Sequence, residues 1–400
     1  MSQTADFIEA IHQAPWQYVL TCTGGGSLAI SELLRYPGAS RSVLEASVPY
    51  ASGALASWLR SHPEQACSAE TARKMAMAAY QRARNWQAAH PQNRAAFHVE
   101  PSSIAGVAAT CSLASNRPKR GSHRFHLAWQ SADRTAVETV TLQKGVRSRE
   151  EEEKHVGKWI LNFLAKQSGV SSQLPVEIFP DEVIQPEFQQ APSAWQSLLA
   201  GTAQLAWTRR GLTGTLSRGP VRSTNRAILS GSFNPLHDGH REMAQLGEEW
   251  LGLPVEYELT ICNAEKPPLD FLDLAQRVAT PSAERTLWLT RAATFVEKAR
   301  YFPGVTFLVG ADTIKRIGQP RFYHDQPLLR DEALDKIATL GCRFLVFGRL
   351  DDRSFITIES LSLPPKLAAL CDQVPESAFR NDLSSTKIRR SERESEQNLQ

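Results

Sequence analysis

Four hundred residues exceed one average domain of roughly 150, so two or three domains are expected. With 42% hydrophobic and 22% charged residues, and 23 each of Gly and Pro, the composition excludes wholesale disorder and fibrous architectures. Basic residues number 45 against 42 acidic, a net +3, which gives no global drive toward nucleic acid or an anionic membrane. No stretch approaches the about eighteen uninterrupted apolar residues of a membrane helix. The start, Met1 to Glu9, lacks the basic segment and apolar core of a secretory signal. Cys22, Cys67, Cys111, Cys262, Cys342 and Cys371 never form C-x-x-C; they read as reduced thiols of a cytoplasmic protein, not a disulfide frame or zinc site.

In chain order, residues 1–166 read as alternating helices and strands. Ala69 to Trp86 is an Ala-rich helix, and Ile104 to Cys111, Phe125 to Trp129 and Thr135 to Leu142 have strand length and texture. Glu150 to Glu153 suit a helix N-terminus, and Val156, Trp159, Ile160, Phe163 and Leu164 then form one apolar stripe. Residues 167–225, with prolines at 175, 180, 186, 192 and 220, read as a linker carrying one helix, Ala194 to Trp207.

From Arg226 to about residue 390, apolar strands alternate with helices. The strands are Ala227 to Ser230, Val255 to Cys262, Val305 to Val309 and Arg343 to Phe347. Helices are expected from about Gly239 and over Pro281 to Lys298. Such alternation implies an α/β fold with a parallel sheet covered on both faces and ligands at the carboxyl ends of its strands. The polar tail, residues 391–400, reads as disordered.

The informative stretch is Gly231-Ser232-Phe233-Asn234-Pro235-Leu236-His237-Asp238-Gly239-His240, directly after the first of these strands. Gly231 and Ser232 allow close approach to the backbone, and the turn presents free N–H groups at a helix N-terminus, where anions are favoured. His237 and His240 share a face of the opening helical turn and can donate to phosphate oxygens, more strongly when protonated. Alone, His-x-x-His reads first as a surface pair, with metal ligation as the second option.

The ten residues together resemble the G-S-F-N-P-x-H-x-G-H signature of the nucleotidylyltransferase superfamily, in particular the nicotinamide mononucleotide adenylyltransferases. Leu383-Ser384-Ser385-Thr386-Lys387-Ile388-Arg389 is similar to that family's I-S-S-T-x-I-R. The resemblance implies a Rossmann-like domain in which Gly231, Ser232, Phe233, Asn234, Ser384, Ser385 and Thr386 bind nucleotide. His237, His240, Lys387 and Arg389 serve the reacting phosphates. It makes Asp312, in Val309-Gly310-Ala311-Asp312, the ribose contact. Lys266 and Arg349 are implied near the phosphates, and Phe322 or Tyr323 stands where the family carries a pyridine-stacking Trp. ATP is the implied substrate with Mg²⁺ held mainly by its phosphates, and no protein side chain is assigned to metal. No G-x-x-x-x-G-K-[ST] is present, which removes the P-loop alternative.

Leu20-Thr21-Cys22-Thr23-Gly24-Gly25-Gly26 resembles the E-S-C-T-G-G segment of the CinA C-terminal domain family, which includes nicotinamide mononucleotide deamidases; the likeness runs over roughly residues 10–166. The family's serine is Thr21 here, its Y-S-N-x-x-K lysine is replaced by Leu55, and its G-I-A-G-P loop by Cys111 to Ser115. Losing the cation and the phosphate-cradling glycines implies a vestigial site at Thr21, Thr23, Gly24 and Gly25. A binding or homo-oligomerising module is then expected, and the triglycine turn suits either an anion site or a simple strand-to-helix turn.

Both halves resemble enzymes that handle pyridine mononucleotides. The sequence therefore implies adenylyl transfer from ATP to nicotinamide or nicotinic acid mononucleotide, with small-molecule nucleotides as partners. The alternatives are transfer from CTP, a phosphopantetheine-like acceptor, or a non-catalytic pyridine-nucleotide sensor.

Overall fold

A computed structural model describes residues 3–89, 103–116, 120–216, 219–221, 225–262, 266–351 and 354–380. The chain divides into two compact α/β units, Met1–Gln196 with Asn263–Asp273, and Ser197–Cys262 with Leu274–Gln400. Among the described residues no helix is long and apolar enough to cross a membrane.

The first unit runs α1 (Gln3–Gln13), β1 (Gln17–Thr23), α2 (Ser27–Arg35), α3 (Ala39–Ser42), β2 (Val43–Ser47), α4 (Ser52–Leu59), α5 (Ala69–Ala89), β3 (Ile104–Ser112), β4 (His123–Ser131), β5 (Arg134–Leu142), α6 (Arg149–Gln167) and β6 (Val183–Gln190). Its six-stranded sheet has the order β2-β1-β3-β4-β5-β6, parallel at β2-β1-β3 and antiparallel beyond. Strand alternation sends Phe125, Leu127 and Trp129 into one core with α1, α2 and α6, and Ala128 and Val137 into a second with α4 and α5. Ala72, Ala76, Ala79 and Ala83 are fully buried on α5, and small residues let that helix lie close on the sheet. At Gly106 a Cβ would stand 2.0 Å from the Ala76 carbonyl oxygen, so the strand needs glycine there.

The second unit continues through α7 (Ser193–Ala200), β7 (Leu205–Arg209), β8 (Leu212–Leu216), β9 (Ala227–Ser230), α8 (Asp238–Leu251), β10 (Val255–Thr260), α9 (Phe271–Glu284), β11 (Leu287–Thr290), α10 (Phe295–Tyr301), β12 (Thr306–Gly310) and α11 (Ala311–Ile317). A 3-10 turn (Pro320–Tyr323), α12 (Pro327–Thr339), β13 (Arg343–Phe347), the hairpin β14 (Arg349–Asp351) and β15 (Ser354–Ile356), α13 (Pro365–Ala368) and β16 (Cys371–Val374) follow. The sheet order is β16-β13-β12-β9-β10-β11-β7-β8, with the six strands from β16 to β11 parallel. Counted along the chain, those six strands lie in the doubly wound order 3-2-1-4-5-6 read from the β9 switch point outward, which falls between β9 and β12. Ile228, Phe307, Val309 and Phe344 pack on one face with α10 and α12. On the other face Gly247 of α8 lets Leu308 and Val255 approach: a Cβ there would meet Leu308 Cδ2 at 2.3 Å.

Three sequence expectations differ from what is observed. The stretch read as a linker carries β6, the edge of the first sheet, and β7 and β8, the edge of the second. The helix expected over Ala194 to Trp207 stops at Ala200, before Gly201 in a left-handed conformation (φ 79°), and Trp207 lies in β7. The helix expected over Pro281 to Lys298 is the end of α9, then β11, then most of α10. Leu287-Trp288-Leu289-Thr290 is too short for its period to separate strand from helix, and pairing with β10 and β7 decides it.

Candidate functional site

The Gly231–His240 turn leaves the carboxyl end of β9 beside the switch point, and α8 begins at Asp238 with His237 as its N-cap residue. Its first N–H is tied down: the Gly231 amide donates to the Glu258 carbonyl of β10 at 3.0 Å. Phe233 then adopts a positive φ of 43° and buries its ring, with Tyr257 and His240 at centroid distances of 5.0 and 5.3 Å. A Cβ at Gly231 would stand 2.7 Å from that ring. The glycine expected to admit a ligand is therefore required first by the packing of Phe233.

His237 and His240 are brought face to face, with ring centroids 3.9 Å apart and planes 37° apart. The His237 amide donates to His240 Nδ1 at 3.3 Å. Burial, with the neighbouring His237 and Arg241 adding to it, pushes His240 down to about 3. Burial also lowers His237, partly opposed by Asp238, while Arg241 acts in the lowering direction. The stronger donation of a protonated imidazole is disfavoured at His240, since a cation there would be buried beside a second imidazole and at a helix N-terminus.

Across the switch point, Gly310 lies two residues beyond the paired Leu308 and Leu229, level with Gly231, and a Cβ added to it would meet open space. Asp312 follows in the first turn of α11, exposed and ion-paired with Arg349. Two residues singled out separately in the sequence thus form one contact. Ser232 and Asn234 lie in the turn itself, Ser232 exposed and Asn234 half-buried.

The other expected residues have no described contact with the turn. Lys266 is exposed and belongs to the Asn263–Asp273 segment of the first unit. Tyr323 spends its hydroxyl on the Ile317 carbonyl at 3.0 Å, and Phe322 lies under the Arg321 guanidinium at 4.6 Å. No described contact joins either ring to the turn. Ser384, Ser385, Thr386, Lys387 and Arg389 lie outside the described residues.

Two features escape the sequence. Arg277 of α9 donates from Nη1 to the Ser232 carbonyl at 3.2 Å, bringing a cation to the turn. The sequence places the helix here too far along the chain, which hides that residue. The second is a fully buried carboxylate under the turn. Glu258 accepts from Lys298 Nζ and Thr290 Oγ1, both at 2.6 Å.

In the first unit the triglycine turn is filled by the chain itself. The Glu153 carboxylate of α6 accepts from the Gly26 amide (2.9 Å), the Ser27 hydroxyl (3.0 Å) and the Leu28 amide (3.3 Å) at the N-terminus of α2. Adjacent Glu152, fully buried, accepts from the Ala114 amide at 2.6 Å and bonds His123 Nδ1 at 2.6 Å. Gly24 and Gly26 have positive φ, and a Cβ on Gly25 would meet Glu153 Oε2 at 3.0 Å. The expectation that this turn could hold an external anion is corrected: a tethered carboxylate holds its donors.

Thr21 is fully buried and accepts from the Ser47 hydroxyl, and Thr23 donates to the Pro49 carbonyl at 3.0 Å. Burial, with the Glu153 charge adding to it, pushes the Cys22 thiol up to about 12. Replacing Glu153 with Ala is expected to destabilise the first unit by about 1–3 kcal/mol through lost charge-assisted bonds, read from its denaturant midpoint. An unchanged midpoint would mean that water caps α2 equally well.

No protein-family profile matches the sequence. Among solved structures, a competence or damage-inducible protein from Enterobacter asburiae is similar at 13% identity and TM-score 0.30, covering 43% of this chain and 100% of its own. The competence/damage inducible protein CihA from Agrobacterium tumefaciens is similar at 19% identity and TM-score 0.31, covering 43% of this chain and 98% of its own. A CinA superfamily protein from Enterobacter cloacae is similar at 15% identity and TM-score 0.31, covering 42% and 94%. The chain is a two-unit α/β protein whose second unit carries the Gly231–His240 turn at the switch point of its sheet.

Proposed function

We propose that the second unit transfers a nucleotidyl group, most specifically adenylyl from ATP to nicotinamide or nicotinic acid mononucleotide, with release of pyrophosphate. The observation that carries this reading is the position of the Gly231–His240 turn. It stands at the strand end beside the switch point, with two imidazoles at the N-terminus of the 14-residue helix α8 and Asp312 in the first turn of α11, directly after β12. Sites of this kind in doubly wound sheets take nucleotides, and a helix N-terminus favours their phosphates.

The reaction needs no covalent protein nucleophile. A phosphate oxygen of the mononucleotide forms a bond to the α-phosphorus of ATP as the bond to pyrophosphate breaks. Catalysis is then positioning plus charge stabilisation. His237 and His240 donate to the phosphates, the α8 dipole and Arg277 favour the added negative charge, and Lys387 and Arg389 are the expected cations for the leaving group. Asp312 accepts from ribose hydroxyls once Arg349 turns away. Mg²⁺ would enter on the triphosphate and supply charge neutralisation there.

For the first unit we propose a binding or self-associating module without deamidase activity. Glu153 in the triglycine turn and the hydrogen-bonded Thr21 support that reading. The scattered spacing of the six cysteines supports a cytoplasmic setting for this reading.

The test is pyrophosphate release with Mg²⁺ and ATP, comparing both pyridine mononucleotides with phosphopantetheine, and CTP with ATP. Release with a pyridine mononucleotide, together with formation of NAD or its deamido form, is expected. Silence with both pyridine nucleotides would sink this assignment, and the remaining combinations would name another acceptor or donor. Binding without turnover in every combination would leave the sensor.

A further inference from the structure

We propose that the two histidines of the turn take different protonation roles. His240 is a permanently neutral donor through Nε2, and His237 is the imidazole that takes up a proton when a polyphosphate anion binds. The inference rests on the nucleotide reading of this site and specifies the protonation state in which it works.

The division follows from geometry. The His237 amide donates to His240 Nδ1, so that nitrogen must offer a lone pair and the ring proton must sit on Nε2. Protonating His240 would break this bond. The Phe233 ring packs on His240 at 5.3 Å, and His237 lies over it at 3.9 Å, so an added proton would be poorly solvated. Two imidazolium ions cannot share that spacing without strong repulsion, which leaves one proton at most for the pair.

His237 is the ring left to receive it: the Asp238 carboxylate next to it in the chain favours its charged form, and its Nδ1, unlike that of His240, is not held by a backbone amide. The charged groups that act on the pair are Asp238 and Arg241 of α8; Glu284 of α9 binds Arg241, while Arg277 of α9 and the Glu258–Lys298 pair of β10 and α10 meet the turn at its Gly231–Ser232 start. Arg241 is already matched by Asp238 and Glu284, at 2.8 and 2.9 Å, and Lys298 by Glu258. An arriving polyphosphate adds unbalanced negative charge beside His237 and favours its imidazolium. The proton comes from solvent, and His240 keeps its own.

Long-range proton–nitrogen NMR of the imidazoles in the ¹⁵N-labelled full chain tests both halves, from pH 5 to 8, free and with inorganic tripolyphosphate or Mg²⁺-ATP. Signals are assigned by their loss in His237→Gln and, independently, in His240→Gln. His240 is expected to show the Nε2–H tautomer throughout and not to titrate. The midpoint of His237 is expected to rise by at least about one pH unit with either anion. An Nδ1–H tautomer at His240, or its titration in this range, overturns the first half even if pyrophosphate release is normal, and the nucleotide reading then stands. A His237 midpoint unmoved by an anion that shifts other signals of the turn overturns the second half. If neither anion shifts any signal of the turn, the second half and the nucleotide reading fall together, while the His240 tautomer is still decided in the free protein.

Discussion

His240→Ala is expected to lower the rate of pyrophosphate release by about 10²- to 10³-fold, the usual loss when one preorganised donor to a developing charge is removed. The mononucleotide should still bind, because Asp312 and the open ground over Gly310 do not depend on the imidazole. His240→Gln retains a neutral N–H donor and should recover to within about tenfold of the wild-type rate if neutral donation is the role. Steady-state rates beside mononucleotide titrations separate the two effects. A wild-type rate in the Ala variant would remove His240 from the mechanism. A collapse of both rate and binding would instead point to disorder of the turn, since the same ring packs on Phe233.

Lys298→Ala is expected to destabilise the second unit by about 3–5 kcal/mol, the cost of leaving a buried carboxylate without its partner. Glu258 has no solvent exposure, and Lys298 Nζ lies 2.6 Å from its carboxylate. Among the described residues Thr290 would still donate to that carboxylate, but no cation would balance it in the place of Lys298. The double replacement Lys298→Met with Glu258→Gln removes the charge and should regain most of the loss. Denaturant unfolding monitored within the second unit measures both variants, and similar losses in single and double variants would refute an ion-pair origin. The activity should follow stability here, because the Glu258 carbonyl also receives the Gly231 amide that starts the turn.

Much of the second unit is legible in the chain. Ala227 to Ser230, Val305 to Val309 and Arg343 to Phe347 are short apolar runs, and all three form central parallel strands within a residue of those bounds. Their legibility has a simple cause: strands buried on both faces admit few polar residues. The turn after β9 is equally plain, because glycines, a proline and two histidines in ten residues mark local chemistry that the fold does not rewrite. The apolar stripe from Val156 to Leu164 likewise lies on α6, whose capping box at Ser148 and Glu151 supplies a start signal.

Edge strands are illegible. β6 is largely exposed and contains Pro186, so it has neither the apolar run nor the composition of a core strand; only pairing with β5 makes it a strand. β11 shows the opposite ambiguity, a four-residue apolar run that fits either state until its neighbours choose. That ambiguity displaces the expected helix and so conceals Arg277, which matters only because α9 carries it to the Ser232 carbonyl.

The sequence by itself determined the α/β class and the helix-opening turn with both histidines. Those properties reside in local composition and in short-range spacing, which folding preserves. Tertiary structure alone decided the strand order that puts β9 beside β12, the pairing of Asp312 with Arg349, and the contact that sets a lone pair on His240 Nδ1. It alone decided that Glu153, 127 residues along the chain from Gly26, fills the triglycine turn. The physical reason is the same in each case. Charge state, register and occupancy depend on which distant groups share a small volume, and residue spacing along the chain does not encode that proximity.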